Sequence, residues 1–266
     1  MSHNLNKLEL LDLKKLPRDI FVRQQAMPAK HYFPEHQHSW HQLLYAISGV
    51  LTVDVIGERF FISPGNAVWL PCGCRHSVST EYGAELKSLY IDGSYQQLPT
   101  DQSLVLKISP IIKALIIEAS SFDVHYPTSG YENEVVSLML NTLPRLEHII
   151  EQLPWPSSSD LLRMCRQLYD QPGEKQTTQV LAERLAMSKR TLERKFHKET
   201  GMAIQAWNLR LRFLKAIELL TAGHSITSVA LDLGYSSSSP FIYMFRNNAG
   251  MSPREYLTSF TLPNEK

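Results

Sequence analysis

The side chains best suited to site chemistry in the first half of the chain are His36, His38, Gln42 and His76, with Trp40 among them. They begin within Pro34–Gly49, PEHQHSWHQLLYAISG. In an extended chain alternate side chains face the same way, so His36, His38, Trp40 and Gln42 share one face, and His41, Leu43 and Tyr45 take the other. Two imidazoles two residues apart on a strand can reach one metal ion. His76 follows the turn Pro71–Gly73 and can join them. The same residues also suit a metal-free pocket whose His and Trp side chains bond to and stack on an organic effector. Cys72, Cys74 and His76 form a C-x-C-x-H string, which suits either a thiophilic metal or a tight turn of small residues. Trp40, Tyr45 and Trp69 serve equally as pocket lining or as core aromatics.

A second constellation is basic. Within 184–215 stand nine Lys and Arg (Arg184, Lys189, Arg190, Arg194, Lys195, Lys198, Arg210, Arg212, Lys215) against Glu193 and Glu199. The net charge of +1 hides an asymmetry: residues 1–155 carry −4 and residues 156–266 carry +5. An acidic first half tethered to a basic second half suggests a nucleic-acid reader.

The basic half contains an internal repeat. Ala182, Leu185, Met187 and Ser188 match Ala230, Leu233, Tyr235 and Ser236 at an offset of 48, and Leu192, Phe196, Gly201, Met202 and Trp207 match Phe241, Phe245, Gly250, Met251 and Tyr256 at 49. Each copy reads as helix, tight turn, helix, spanning about 178–199 and 226–249. Ser188 is a good N-cap for the second helix of the first copy. Leu192 and Phe196 face inward, while Lys189, Arg190, Glu193, Arg194 and Lys198 project from the other side, as a major-groove helix requires. In the second copy Phe241 and Phe245 are the inward pair. Ser238, Ser239, Ile242 and Tyr243 face the groove, with Arg246 near phosphate. The amphipathic run Ile204–Thr221 fixes the spacing of the two copies.

The first half reads as short strands over residues 20–91: Leu43–Ile47, Val50–Ile56, Ala67–Leu70 and Leu86–Ile91, separated by Gly and Pro turns, as in a sandwich or small barrel. Residues 104–122 and 131–152 change to helical period, through Ile111, Leu115 and Ala119, then Val135, Leu138, Met139, Leu146, Ile149 and Ile150. These helices either cover the barrel or form a dimer face, and Pro144 should kink or divide the second. Leu153–Ser159, with two Pro and three Ser, reads as a linker. The expected domains are therefore 1–155, all-β with flanking helices, and 156–266, all-α with two helix-turn-helix units joined by a long helix.

Leu181–Gly201 (LAERLAMSKRTLERKFHKETG), NLRLRFLKAIELL and Ser225–Leu257, with GY before the second recognition helix, the F-x-x-x-F-R-x-x-x-G frame and SPREY, closely resemble the AraC/XylS transcription regulators. The resemblance covers about residues 160–260. It implies two helix-turn-helix units reading successive major grooves on one side of operator DNA. The chain departs from the pattern at Pro240 and at Asn247-Asn248. Residues 25–95 resemble the cupin barrel: H-x-H at His36 and His38, Gly49, then Gly65, Pro71-x-Gly73 and His76. Lys30, Gln42 and Thr80 stand where that pattern has Gly, Glu and Asn. The match implies metal-type positions at His36, His38, Gln42 and His76, which suit one first-row divalent ion. The same four residues with Trp40 are the expected effector-binding set.

Composition narrows the alternatives. The chain has 266 residues, 43% hydrophobic and 20% charged, with three Cys, and reads as a globular protein of a reducing compartment. No apolar signal segment opens it, and no run approaches a membrane span, so a cytoplasmic protein with no membrane contact is expected. The leading expectation is a ligand-responsive, sequence-specific transcription regulator that is not an enzyme. Its expected partners are double-stranded promoter or operator DNA, a small-molecule or metal effector, RNA polymerase if it activates, and a second copy in a homodimer. The alternative is a cupin-type metal-dependent enzyme with a helical appendage, which needs a metal carboxylate that Gln42 does not supply. A DNA-bending protein needs basic residues throughout, which the acidic first half lacks. Residues 157–266 should bind DNA specifically, with a log–log salt slope of about −0.9 per neutralised phosphate. A flat salt response, or equal binding to every duplex, contradicts this.

Overall fold

The computed structural model describes residues 5–10, 13–127, 129–149 and 152–259. Two compact units are present: residues 1–56 with 60–152, and residues 57–59 with 153–266. The strands in chain order are β1 (Asn6–Lys7), β2 (Ile20–Met27), β3 (His31–His36), β4 (His41–Gly49), β5 (Leu51–Val55), β6 (Glu58–Ile62), β7 (Asn66–Leu70), β8 (His76–Thr80), β9 (Ala84–Ile91) and β10 (Leu104–Lys107), all in the first unit except the first two residues of β6. Helices α1 (Pro110–Ala119) and α2 (Tyr131–Thr142), a 3-10 turn at Leu143–Arg145 and β11 (His148–Ile149) follow. β12 (Gln152–Pro154) stands between this unit and α3 (Ser159–Asp170), α4 (Thr178–Arg184), α5 (Lys189–Thr200), α6 (Ile204–Thr221), α7 (Ile226–Asp232), α8 (Ser238–Ala249) and α9 (Pro253–Thr258).

One sheet of the first unit runs β1-β3-β8-β5-β6 and the other β11-β10-β7-β4-β9-β2. β4 lies between β7 and β9 and is buried on both faces, which is why its sequence is a continuous apolar run rather than an alternating one. Its alternation still assigns sides. Leu44 and Ala46 pack between the sheets with Phe33, Val53, Phe60 and Val78. Leu43 and Tyr45 face a second core, completed by Ile112 and Ile116 of α1 and Val136 and Met139 of α2. The flanking helices therefore cover the barrel.

Several local readings are corrected. Residues 104–107 are strand, because β10 pairs with β7 through the register Val105 to Val68 and with β11 on its other side. The helix expected over 131–152 ends at Thr142, and Pro144 sits in the 3-10 turn. Val135 and Leu146 are buried in the unit's own core, so of the apolar positions on that segment it is Leu138 that stands exposed. Ile150 lies outside the described residues. The stretch read as a linker packs onto α6: Leu153 and Trp155 are buried, and Trp207 Nε1 donates to Pro154 O at 2.7 Å.

The second unit is built on the repeat. α4 and α7 superpose on the 48-residue offset end to end, as do α5 and α8 on the 49-residue offset. Ser188 Oγ caps α5 through Thr191 N, and α5 and α8 each stop at a left-handed glycine, Gly201 and Gly250. The turn repeats too: Met187 N donates to Ala182 O and Tyr235 N to Ala230 O, both at 2.9 Å. Left-handed backbone falls at Ala186 in one copy and Gly234 in the other. A Cβ on Gly234, at φ +79°, would lie 2.2 Å from Gly173 O. Gly234→Ala should destabilise the unit by about 2–4 kcal/mol through overpacking and left-handed strain. Gly223→Ala, at φ +90° with nothing within 4 Å, should cost only the strain, about 1–2 kcal/mol. Urea unfolding of both variants checks the difference, and equal losses would remove the close approach as the cause.

Candidate functional site

The pocket of the first unit is assembled from loop and strand together. His36 is the last residue of β3, His38 and Trp40 lie in the bend that follows, and Gln42 is in β4. They do not share one continuous strand. A register shift between Phe33 and His36 sets His36 opposite His76 of β8. The turn Pro71–Cys74 braces the bend, with Gly73 N donating to His38 O at 2.9 Å and Cys74 N to Pro71 O at 3.0 Å. The result brings all four polar residues and Trp40 to one cavity of about 140 Å³.

Each imidazole is oriented by the backbone. His36 Nδ1 lies 2.8 Å from Pro34 O, His38 Nδ1 2.7 Å from Trp40 O, and His76 Nδ1 3.0 Å from Cys74 O. A carbonyl oxygen only accepts, so Nδ1 of His36 and of His76 carries the proton and their Nε2 is left with a lone pair, whereas His38 has an oxygen at both ring nitrogens. One ring nitrogen from each of the three residues lies within 4.8 Å of the others. His76 is fully buried and its Nε2 has no partner among the described residues. Burial holds the His76 imidazole neutral, lowering its pKa to about 3, and burial likewise lowers that of His38. His38 Nε2 also faces Gln42 Oε1 at 3.0 Å, while Gln42 Nε2 donates to Ser88 Oγ at 2.9 Å. The neutral His38 ring has one proton for two oxygens, so one of the two contacts repels unless a cation lies between the atoms or the amide rotates.

Around this cluster His38 stacks on Trp40 with centroids 5.1 Å apart and planes 2° apart, and Tyr90 stands edge-on to both. The buried Trp40 Nε1 has no acceptor among the described residues. Leu10, Leu13, Phe33, Leu44 and Leu86 make the apolar wall. Arg23 and Gln25 of β2 and Ser88 and Tyr90 of β9 also line the cavity. Sequence reasoning missed them, since nothing local marks a strand residue as lining a pocket closed from another strand. Tyr45 and Trp69 belong to the other core, where Trp69 stacks on His41 at 4.8 Å. The C-x-C-x-H string does not act as one group: Cys72 is exposed, Cys74 Sγ lies 3.6 Å from Ser103 Oγ, and His76 alone enters the cluster. Lys30, where the cupin pattern has Gly, adopts φ 58°. Thr80, where it has Asn, donates to Val50 O and is structural.

In the second unit Leu192 and Phe196 of α5 are fully buried, and Phe196 meets Trp207 of α6 edge-on at 6.1 Å. Lys189, Arg190, Glu193, Arg194 and Lys198 are all exposed on the opposite side, where Lys189 lies 3.9 Å from Glu193. Phe241 and Phe245 of α8 are buried in the same way, Phe245 against Phe213. Ser239, Tyr243 and Arg246 are exposed, while Ser238 is half-buried with its hydroxyl on Thr227.

Residues 20–188 match the AraC-like ligand binding domain and residues 181–259 a helix-turn-helix domain. The chain belongs to the AraC family of transcription regulators. Among curated relatives it is 31% identical to the HTH-type transcriptional regulator NimR of Escherichia coli K12, over 86% of this chain and 83% of that one. It is 26% identical to the HTH-type transcriptional activator RhaS of Escherichia fergusonii, over 84% and 87%. Among solved structures, the DNA-binding domain of AdpA in complex with a target DNA is 32% identical over 39% of this chain and 94% of that one, with a TM-score of 0.37. This AraC-family chain is thus a DNA-binding transcription regulator with an N-terminal ligand-binding domain, and among its described residues no helix is long and apolar enough to cross a membrane.

Long-range proton–nitrogen correlation spectra of the metal-free regulator at pH 7 should show Nδ1–H tautomers for His36 and His76. Protonated Nε2 at either of them would contradict the carbonyl-imposed orientation.

Proposed function

We propose that this AraC-family regulator senses its effector at the His36, His38, Trp40, Gln42 and His76 pocket, and that the pocket holds one divalent first-row metal ion. The observation that carries the reading is the convergence of three imidazoles within 4.8 Å, each with its Nδ1 against a backbone carbonyl. Outer hydrogen bonds of this kind fix the tautomer and ring orientation of metal-ligating histidine. The three Nε2 atoms and Gln42 Oε1 are the donor set, and the fully buried, unpartnered His76 Nε2 fits a ligand role better than a packing role. A bound cation supplies positive charge that offsets the repulsion among these acceptors. No Asp or Glu is among the described lining residues, which supports a sensor rather than an enzyme. A second reading, an organic effector bound without metal, is favoured by the apolar wall, by Arg23 and by the unpartnered Trp40 indole N–H.

For DNA, the reading assigns Lys189, Arg190, Glu193, Arg194 and Lys198 of the first unit and Ser238, Ser239, Tyr243 and Arg246 of the second to operator contact. Their support is the exposed face opposite each buried pair, on which all but the half-buried Ser238 lie. A homodimer is supported by Ile111 and Ile117 of α1 and Tyr131 and Leu138 of α2, all exposed. RNA polymerase is the further partner if the chain activates, and the cytoplasm is the compartment in which it would meet promoter DNA.

Purified protein incubated with zinc or manganese and desalted should retain about one ion per chain, and His38→Ala should not. The variant should lose effector response in a reporter assay while still binding DNA. Equal metal retention by the variant sinks the metal reading, and a normal reporter response sinks the pocket assignment.

A further inference from the structure

The repeat places unlike chemistry at equivalent positions of the two recognition helices. α5 and α8 have the same length, the same glycine stop and the same buried frame, so a 49-residue offset maps one outward face onto the other. On that map Arg190 corresponds to Ser239, Arg194 to Tyr243 and Lys198 to Asn247. With Lys189, which corresponds to Ser238, four cationic positions on the outward face of α5 are neutral in α8.

Tyr243 is the position at issue. Its side chain is 71% exposed. Phe241, Met244 and Phe245 of the same helix are buried, and the spacing of 100° per residue turns Tyr243 away from them, toward the side of Ser239 and Arg246. A lone exposed aromatic is ordinary on a protein surface. This one occupies the slot that carries Arg194 in the other copy.

Arginine and an aromatic ring read different base edges. Arginine bonds to guanine O6 and N7, whereas an apolar group in the major groove contacts the C5-methyl of thymine. We propose that Tyr243 is a specificity-determining residue that reads a thymine methyl, so that one chain recognises an asymmetric site with guanine under α5 and thymine under α8. The proposal rests on α5 and α8 being the DNA-reading helices. It fixes the direction in which a chain lies on its operator, and it assigns less of the salt dependence to the α8 half.

The test uses the full chain and an operator selected by it from random duplexes. Each thymine is replaced by deoxyuridine, which removes the methyl alone, and each guanine by 7-deazaguanine, which removes N7. At one or two thymines deoxyuridine should weaken wild-type binding about three- to fivefold, the worth of one buried methyl. Tyr243→Ala should bind about that much more weakly and become insensitive to the replacement, and Tyr243→Phe should behave as wild type. Arg194→Ala should keep its sensitivity to deoxyuridine and lose sensitivity to one 7-deazaguanine. If deoxyuridine is neutral everywhere, or Tyr243→Ala stays as sensitive as wild type, the thymine proposal fails while the guanine arm stands. If Tyr243→Phe is as weak as Tyr243→Ala, the hydroxyl does the reading and the proposal fails. If no sequence is selected, or Arg194→Ala leaves every guanine response unchanged, the assignment of the helices themselves fails, and the thymine proposal with it.

Discussion

The second unit depends on one packing constraint, the burial of an i,i+4 pair from each recognition helix in the core that contains α6. Leu192 and Phe196 do this in α5, and Phe241 and Phe245 in α8. Each fully buried side chain of this size contributes about 1.5–3 kcal/mol, far more than any single exposed charge on the other face. The inward pair therefore decides how each helix is rotated, and rotation decides which residues face outward. Sequence change on the outward face is cheap, which lets the same frame carry Arg190 and Arg194 in one copy and Ser239 and Tyr243 in the other.

The first unit obeys a comparable rule with hydrogen bonds in place of packing. Three short backbone segments, at Pro34, Trp40 and Cys74, each present a carbonyl to an imidazole. A buried carbonyl needs a donor, and a buried imidazole has one to give. Satisfying both leaves the second nitrogen of His36 and of His76 with a lone pair, in a cluster where one ring nitrogen of each of the three imidazoles lies within 4.8 Å of the others. A ligand that supplies positive charge or donors there gains what the empty cavity lacks. Control of DNA binding further requires that the ligand favour one conformational state over another, because equal affinity for two states shifts neither.

Much of this was legible in the sequence because it is periodic. The repeat, the Ser188 cap and both inward pairs follow from spacing, and the alternation His41, Leu43, Tyr45 against Gln42, Leu44, Ala46 separates the two faces of β4. The residues of the pocket were legible as types but not in their setting. His36, His38, Trp40 and Gln42 converge through a bend and a register shift, which strand alternation does not encode. Arg23, Ser88 and Tyr90 enter from β2 and β9 only when the sheet is assembled. β10 was hidden because LVLK is too short to show a period and is held by its neighbour β7. The apparent linker misled for a related reason. Pro and Ser signal irregular backbone, yet Leu153 and Trp155 within the same stretch are buried.

Two recognition helices held in a common frame are proposed to read DNA together in one chain. Interference by guanine-N7 methylation and by deoxyuridine at thymine on the selected operator addresses this directly, since N7 and the thymine methyl both lie in the major groove. Two clusters of interference are expected, centred about one helical turn apart and on one side of the duplex. Arg190→Ala should erase interference in one cluster only. A single cluster, or clusters on opposite sides of the duplex, would contradict the account.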